Sequence, residues 1–369
     1  MRKVVCHIST VHPHYDTRIF YKECRSLVKQ GYDVYFIVSY NGKKKSFEGV
    51  NIIPISNSKN RFYRVFIKIW VALKKALQLK ADLYHIHDPE LIIVAVILRL
   101  FGKKVIYDVH ENVPMQILNK EYLGGVFIRK VVSGLFNVFE KFNAHFMTAI
   151  ITARPDISER FSKKKVTVVR NLPVLTSIDK VKPVEKVNEK EIVIYAGMLT
   201  EIRGIKEIIE AVGYLNGKVE LWIFGDWDEP EYHERCKKLD GYRYVIERGF
   251  IPQDEVYSYM KISNIGVVNF WAVPNHVRTL PNKPFEYMAC SIPMIMSDFE
   301  YWKSIFKGCY LPVNPKDPKE IAEKIEYLID NKDIAKQMGE CGRKLIEEEY
   351  SWEAESNKLF KLYNDILKK

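Results

Sequence analysis

Three stretches of the chain carry residue types that can do chemistry. Residues 278–298 read RTLPNKPFEYMACSIPMIMSD, a polar loop punctuated by Pro281 and Pro284 that runs into a short helix-like segment over 285–290. Pro284 suits a first helical turn, where its missing N–H would be unpaired anyway. The free N–H groups of such a helix start, with the ammonium of Lys283 beside them, make a candidate anion site. Glu286, one turn further in, can reach hydroxyls of the molecule that carries the anion, or can stand as a solvated helix residue. The other two stretches, 82–88 (DLYHIHD) and 105–111 (VIYDVHE), are apolar strands that each end in histidine and a carboxylate. Ligands of parallel α/β sheets bind at such strand ends. His110 is therefore a candidate hydrogen-bonding residue, although a lone histidine is more often structural.

The elements that must position these residues alternate between strand and helix. In the first half the pattern predicts a strand over 4–8, a helix over 16–29 ending at Gly31, and a strand over 33–38. The strands at 82–88, 105–111 and 166–169 continue the series. The second half starts afresh with a strand over 192–195, a turn at Gly197 and a helix over 204–215. Strands at 221–224, 245–249, 265–269 and 292–296 follow, and helices begin near Asp317 and Trp352. Between the halves, Asn171-Leu172-Pro173 and the charged KVKPVEKVNEKE read as a connector. The fold class is thus α/β, with an amino-terminal Rossmann-like domain over 1–172, a linker over 173–190 and a carboxy-terminal domain over 191–351.

Composition narrows the function classes. With 369 residues, 47% hydrophobic and 28% charged, the chain has material for two ordinary globular cores. Its six cysteines are scattered without a CxxC pair, and the histidines lack metal-ligand spacing, so no metal is expected. The start reads as a strand, not a leader, and the longest apolar run is too short to span a bilayer, so a cytoplasmic location is expected, peripheral to the membrane at most. Charge is uneven: residues 1–170 hold 29 Lys and Arg against 13 Asp and Glu, a net of +16, while the remainder is net −5. A basic half suits an anionic partner. Residues 61–80 (RFYRVFIKIWVALKKALQLK) place Arg61, Arg64, Lys68 and Lys75 on one helical face and apolar residues on the next, which fits an ordinary docked helix whose basic rim meets an anionic membrane surface. A second basic-aromatic run, 126–146, extends the same expectation. No RNP pair or zinc-finger pattern is present, and nucleic acid is not an expected partner.

LPNKPFEYMACSIPMIMSDF resembles the donor-site segment of family 4 glycosyltransferases, whose architecture is GT-B, two Rossmann-like domains facing each other across a cleft. That family often carries two glutamates with seven residues between them. Glu286 matches the second, with a ribose contact implied, while Arg278 stands where the first would fall. HPHYDTRIFYKE resembles a subgroup of bacterial polysaccharide-building members, which makes Asp16 and Arg18 candidate contacts to sugar or acceptor; Asp16 reads equally as a helix cap and Arg18 as a surface ion-pair residue. His110 matches the position that faces the reacting sugar. YAGMLTEIRGIKEIIEAV resembles the donor-phosphate loop, with Gly197 at its turn and Arg203 as the basic residue able to grip a diphosphate. Met198 replaces a second arginine often found there. Phe250 and Ile251 match a stretch that holds the nucleobase through backbone atoms. Asn275 and His276 fall in a loop over the donor sugar, Asn282 and Lys283 at the diphosphate, and the helix 352–369 crosses back onto the first domain.

The resemblance implies a retaining glycosyltransferase that moves a hexose or N-acetylhexosamine from a nucleoside diphosphate, UDP first and GDP next, to a glycan or lipid-linked glycan. Arg203, Lys283 and His110 would be its catalytic residues, and no cofactor beyond the sugar nucleotide is implied. Two rivals stay open: a nucleotide-sugar epimerase of similar shape, and a non-catalytic basic protein that binds membrane surfaces or nucleic acid.

Overall fold

The computed structural model describes residues 2–56, 67–186 and 188–368, apart from the side chains of Glu121 and Asn275. The chain divides into two compact units, Met1–Asn171 with Glu355–Lys369, and Leu172–Ala354.

The first unit is built on an eight-stranded sheet. Its strands are β1 (Val4–Pro13), β2 (Asp33–Ser39), β3 (Lys45–Phe47), β4 (Val50–Ile55), β5 (Leu83–Ile86), β6 (Lys104–Val109), β7 (Ala149–Thr152) and β8 (Val166–Val168), in the order β3-β4-β2-β1-β5-β6-β7-β8. Only β3 pairs antiparallel. Runs such as LYHI in β5 are buried at every position, as strands of a parallel sheet covered on both faces must be. β1 lies between β2 and β5, so the winding reverses there and opens a crevice at the strand ends. β1 also runs five residues past the predicted 4–8, with a register irregularity after Ile8.

The next segment is π-helical over Thr17–Cys24 and α-helical over Arg25–Lys29. Asp16 caps it by accepting from the N–H groups of Arg18 and Ile19. Of the helix expected over 61–80, residues 61–66 lie outside the described residues. From Ile69–Leu79 it buries Ile69, Ala72, Leu73 and Ala76. Lys68 corrects the expectation of a basic rim. It is 2% exposed, and its ammonium donates to Thr10 O (2.6 Å) and Ser39 Oγ (2.5 Å), because the ends of β1 and β2 offer acceptors there. The closing helix Trp352–Lys368 buries Leu359, Tyr363 and Ile366.

The second unit holds a six-stranded, wholly parallel sheet. Its strands are β9 (Glu191–Ala196), β10 (Val219–Phe224), β11 (Val245–Gly249), β12 (Ile265–Val268), β13 (Met294–Ser297) and β14 (Tyr310–Val313), ordered β11-β10-β9-β12-β13-β14. The reversal falls at β9. The stretch 173–190 is not a bare linker: it forms a helix, Leu175–Lys180, whose Leu175 and Ile178 enter this unit's core and whose Asp179 accepts from Arg343 (2.8 and 3.0 Å).

Candidate functional site

In the second unit, β9 and β10 end in Gly197 and Gly225, whose φ angles are +150° and +134°. A Cβ on Gly225 would lie 2.0 Å from the carbonyl oxygen of Gly197, so the two turns touch only because neither carries a side chain. A Cβ on Gly197 would stand 3.0 Å from Arg203 Nη1, so its absence leaves room for the guanidinium. Arg203 sits on the tight turn Glu201–Arg203, just before the helix Ile205–Tyr214. Its guanidinium makes a long 3.5 Å bond to Met198 O and lies 5.3 Å from the Phe270 ring centre. The ring of His276 also packs on Phe270, with ring centres 4.6 Å apart. Burial lowers the pKa of His276, and the Arg203 charge adds to this against the Trp271 carbonyl its Nδ1 meets at 3.1 Å.

The helix start expected near Pro284 lies at Asn282, giving Asn282–Ala289 with Pro284 in the first turn. Asn282 is exposed, but Lys283 is not a free ammonium beside the N–H groups: it pairs with Glu286 Oε2 at 2.6 Å. Glu286 is buried and its Oε1 accepts from Gln253 Nε2 (3.0 Å). It is neither a solvated helix residue nor free for hydroxyls as it stands. That bond draws the loop before helix Gln253–Met260, with Phe250 exposed and Ile251 half-buried, against the start of Asn282–Ala289. Gln253 went unpredicted because nothing in its neighbourhood marks it. Asn275 falls in the short helix Pro274–Val277, and its side chain lies outside the described residues.

In the first unit the strand ends converge. His110 follows β6 with Nε2 3.0 Å from Asp108 Oδ2 and 3.3 Å from His87 Nδ1, and its side chain keeps 15% exposure. His12 packs beside it, with ring centres 5.4 Å apart. Burial works against protonation of His12, but its 2.9 Å bond to Asp16 and the charges of Asp88, Asp16 and Glu111 outweigh that and raise its pKa. Asp16 is thus a cap and the partner of His12. Asp88 accepts from Thr10 N, Val11 N and Ser9 Oγ and fixes the end of β1. Arg18 is corrected outright, because it neither lines the surface nor is open to a sugar. It is buried, donates through Nε and Nη2 to Asp108 (3.1–3.2 Å) and through Nη1 to Val169 O (2.9 Å), and lies 3.1 Å from Glu23 Oε1.

Behind Arg18 lies a buried cluster. His7 Nδ1 and His87 Nε2 share a hydrogen bond (2.9 Å), and the Tyr363 hydroxyl bridges His85 Nδ1 (2.7 Å) and His7 Nε2 (3.2 Å). Glu23 Oε2 stands 3.9 Å from His7 and 4.0 Å from His85 and His87. Burial holds all three imidazoles below their ordinary pKa, His87 at about 4. Burial also opposes ionisation of Asp108, but Arg18 and then His110 overcome it and keep Asp108 well below the usual carboxylate range, whereas Glu23 is raised by burial and by Asp108. The histidines do reach metal-ligand closeness: one atom each of His7, Glu23, His85 and His87 lie within 4.8 Å of one another, as do those of His87, Asp108 and His110. The fold, not sequence spacing, brings them there, and this corrects the reading from spacing. Such a set suits zinc by type, while the His7–His87 and Tyr363 bonds already give the imidazoles partners.

Two family models match the chain, Glycosyltransferase Family 4 over residues 17–171 and Glycosyl transferases group 1 over residues 177–345. Among solved structures, sucrose-phosphate synthase from Thermosynechococcus elongatus superposes with a TM-score of 0.74 at 17% identity, covering 99% of both chains. HepE from Anabaena, in complex with UDP, gives 0.72 at 12% identity, covering 98% of this chain and 100% of that one. A glycosyltransferase from Rickettsia africae ESF-5 gives 0.71 at 15%, covering 100% and 99%. The capsular polysaccharide biosynthesis glycosyltransferase CapM of Staphylococcus aureus is 26% identical over 191 residues, 49% of this chain and 48% of CapM, so the match spans about half the length of that relative. The chain belongs to the family 4 glycosyltransferases and has the GT-B fold.

Proposed function

We propose that the protein is a retaining glycosyltransferase that moves a hexose or N-acetylhexosamine from UDP to a growing glycan, free or lipid-linked, at a membrane face. The observation that carries the donor side is the guanidinium of Arg203, set beside glycine-lined strand ends, with a long bond to Met198 O and the Tyr195 hydroxyl beside it. UDP is favoured because HepE is described in complex with UDP and with UDP-glucose. A polysaccharide acceptor is favoured by the likeness to CapM.

In this mechanism the bond between the sugar anomeric carbon and the diphosphate oxygen breaks while the acceptor oxygen bonds the same carbon from the same face. The acceptor proton passes to the departing diphosphate. Arg203 and Lys283 stabilise the charge that develops on the diphosphate, Lys283 by exchanging its bond to Glu286 for one to phosphate. Glu286, so released, accepts from the ribose hydroxyls. His110, held by Asp108, hydrogen-bonds the transferred sugar. With these cations present the reaction needs no metal. The test is to supply UDP-glucose or UDP-N-acetylglucosamine with an oligosaccharide or polyprenyl-linked acceptor and follow the anomeric proton by NMR. An α-linked product from the α-linked donor supports the reading; a β-linked product rejects retention, and epimerised donor without transfer rejects the reading itself.

A further inference from the structure

The helix Val126–Ala144 turns its polar side inward. Ser133 Oγ donates to Pro114 O (2.7 Å), Arg129 donates to Leu118 O (2.7 Å), and Glu140 accepts from the Tyr107 hydroxyl (2.8 Å) and pairs with Arg160. The outward side is apolar. Phe127, Val131, Leu135, Val138 and Phe142 recur at helical spacing, and Phe127, Leu135, Val138 and Phe142 are 79%, 67%, 67% and 64% exposed. Phe146 extends the stripe, and Arg99 holds its carbonyl at 2.8 Å, which brings the exposed Leu100 and Phe101 alongside. Scattered exposed apolar residues are ordinary, but a continuous stripe of this length marks a surface that something covers.

We propose that this stripe docks the chain onto an anionic lipid bilayer, with the helix lying in the headgroup plane. The inference rests on, and sharpens, the membrane-face acceptor of the preceding reading. Charge selects the bilayer. The exposed rim carries Lys130 and Lys141, and the one acidic residue in 126–146, Glu140, is buried and paired. A second copy brought onto the same face would set lysines against lysines, whereas anionic headgroups offset them. A 19-residue helix is about 28 Å long and suits a surface position. No helix among the described residues is long and apolar enough to cross a membrane. The docking element proposed is thus 126–146.

The test uses the full chain with vesicles of phosphatidylglycerol and phosphatidylcholine, with phosphatidylcholine alone as the control, and sedimentation velocity alongside. The wild type is expected to bind the anionic vesicles and to be weakened at least about tenfold by removing the anionic lipid or raising salt. Leu135→Asp and Phe142→Asp should each lower vesicle affinity by about 10- to 100-fold, on the scale of one buried large apolar side chain. Lys130→Glu with Lys141→Glu should lower affinity for anionic vesicles alone. UDP-sugar binding should stay unchanged in all of them, which certifies that they fold. Vesicle affinity that ignores these changes overturns the proposal. A wild type that misses the vesicles also overturns it, whether monomeric or a dimer that Leu135→Asp dissociates. Vesicle binding without any UDP-sugar binding keeps the docking and rejects UDP as the donor nucleotide.

Discussion

The two units hold their polar residues on opposite terms. In the first, Arg18, Asp108, Glu23 and three histidines are withdrawn from water and face one another, with both Glu23 oxygens and His85 Nε2 making no hydrogen bond among the described residues, while His110 and His12 emerge at the rim. In the second, Arg203 stands beside glycine turns with a long bond to Met198 O, the Tyr195 hydroxyl and the Phe270 ring around it. A buried charge network fixes positions; a cation beside glycine turns at a strand end is placed to meet an anion. The contrast teaches that the ion pairs of the first unit serve the fold and hold His110, while in the proposed reading binding energy for the donor comes from the second.

The largest effect that can break this comparison is on stability. Arg18→Ala leaves two buried carboxylates facing each other, and should cost about 3–5 kcal/mol in urea unfolding, as loss of one partner of a buried pair does. A cost under about 1 kcal/mol would mean that the cluster is not structural.

Next comes pH. His7, His85 and His87 have lowered folded pKa values, so the unfolded chain binds more protons, and stability should fall as pH drops from about 6.5 through the value of about 4 held by His87. Asp108 and Asp16, both lowered, add to the loss below their ordinary carboxylate range. Glu23 is raised and opposes the trend, one carboxyl against three imidazoles. His12, raised, contributes stability that is full below 6.5 and declines above it. Unfolding midpoints from pH 4 to 8 should therefore climb steeply to about 6.5 and then flatten or dip. A flat profile below 6.5 would contradict the buried neutral imidazoles.

Arg203→Ala should do the reverse of Arg18→Ala. UDP-sugar affinity should drop by about 10- to 100-fold, the scale of a charged hydrogen bond, with stability within about 0.5 kcal/mol of wild type. Equal affinity in calorimetry would remove Arg203 from the donor site. The smallest effect is expected at Phe250, 78% exposed: Phe250→Ala should move stability by under about 0.5 kcal/mol and donor affinity by under about threefold, because the proposed base contacts come from its backbone. A larger drop in affinity would show that the ring itself stacks on the base.

Much of the alternation was legible in the sequence, because parallel strands such as IVIYA and LWIF are continuous apolar runs bounded by glycine. The strand-end motifs DLYHIHD and VIYDVHE were legible too. What they attach to was not: Glu23, His7 and Tyr363 come from elements far apart in the chain and carry no local signal, so the cluster that they form appears only in three dimensions. Arg18 misled because an arginine at a helix start reads as a surface ion-pair residue, whereas its partners, Asp108 and Val169, lie 90 and 151 residues away. In the helix Val126–Ala144 the sequence showed a basic-aromatic run but not which face would turn inward. Amphipathic patterning assumes that the apolar face goes inward, and here Ser133, Glu140 and Arg129 take that place through specific acceptors and donors.

The most direct measurement is calorimetry of the purified chain against UDP- and GDP-sugars with chelator present. The account predicts binding of a UDP-sugar, unchanged when the chelator is replaced by added zinc or magnesium. No binding to any sugar nucleotide by a folded sample, or binding that appears only with metal, would contradict it.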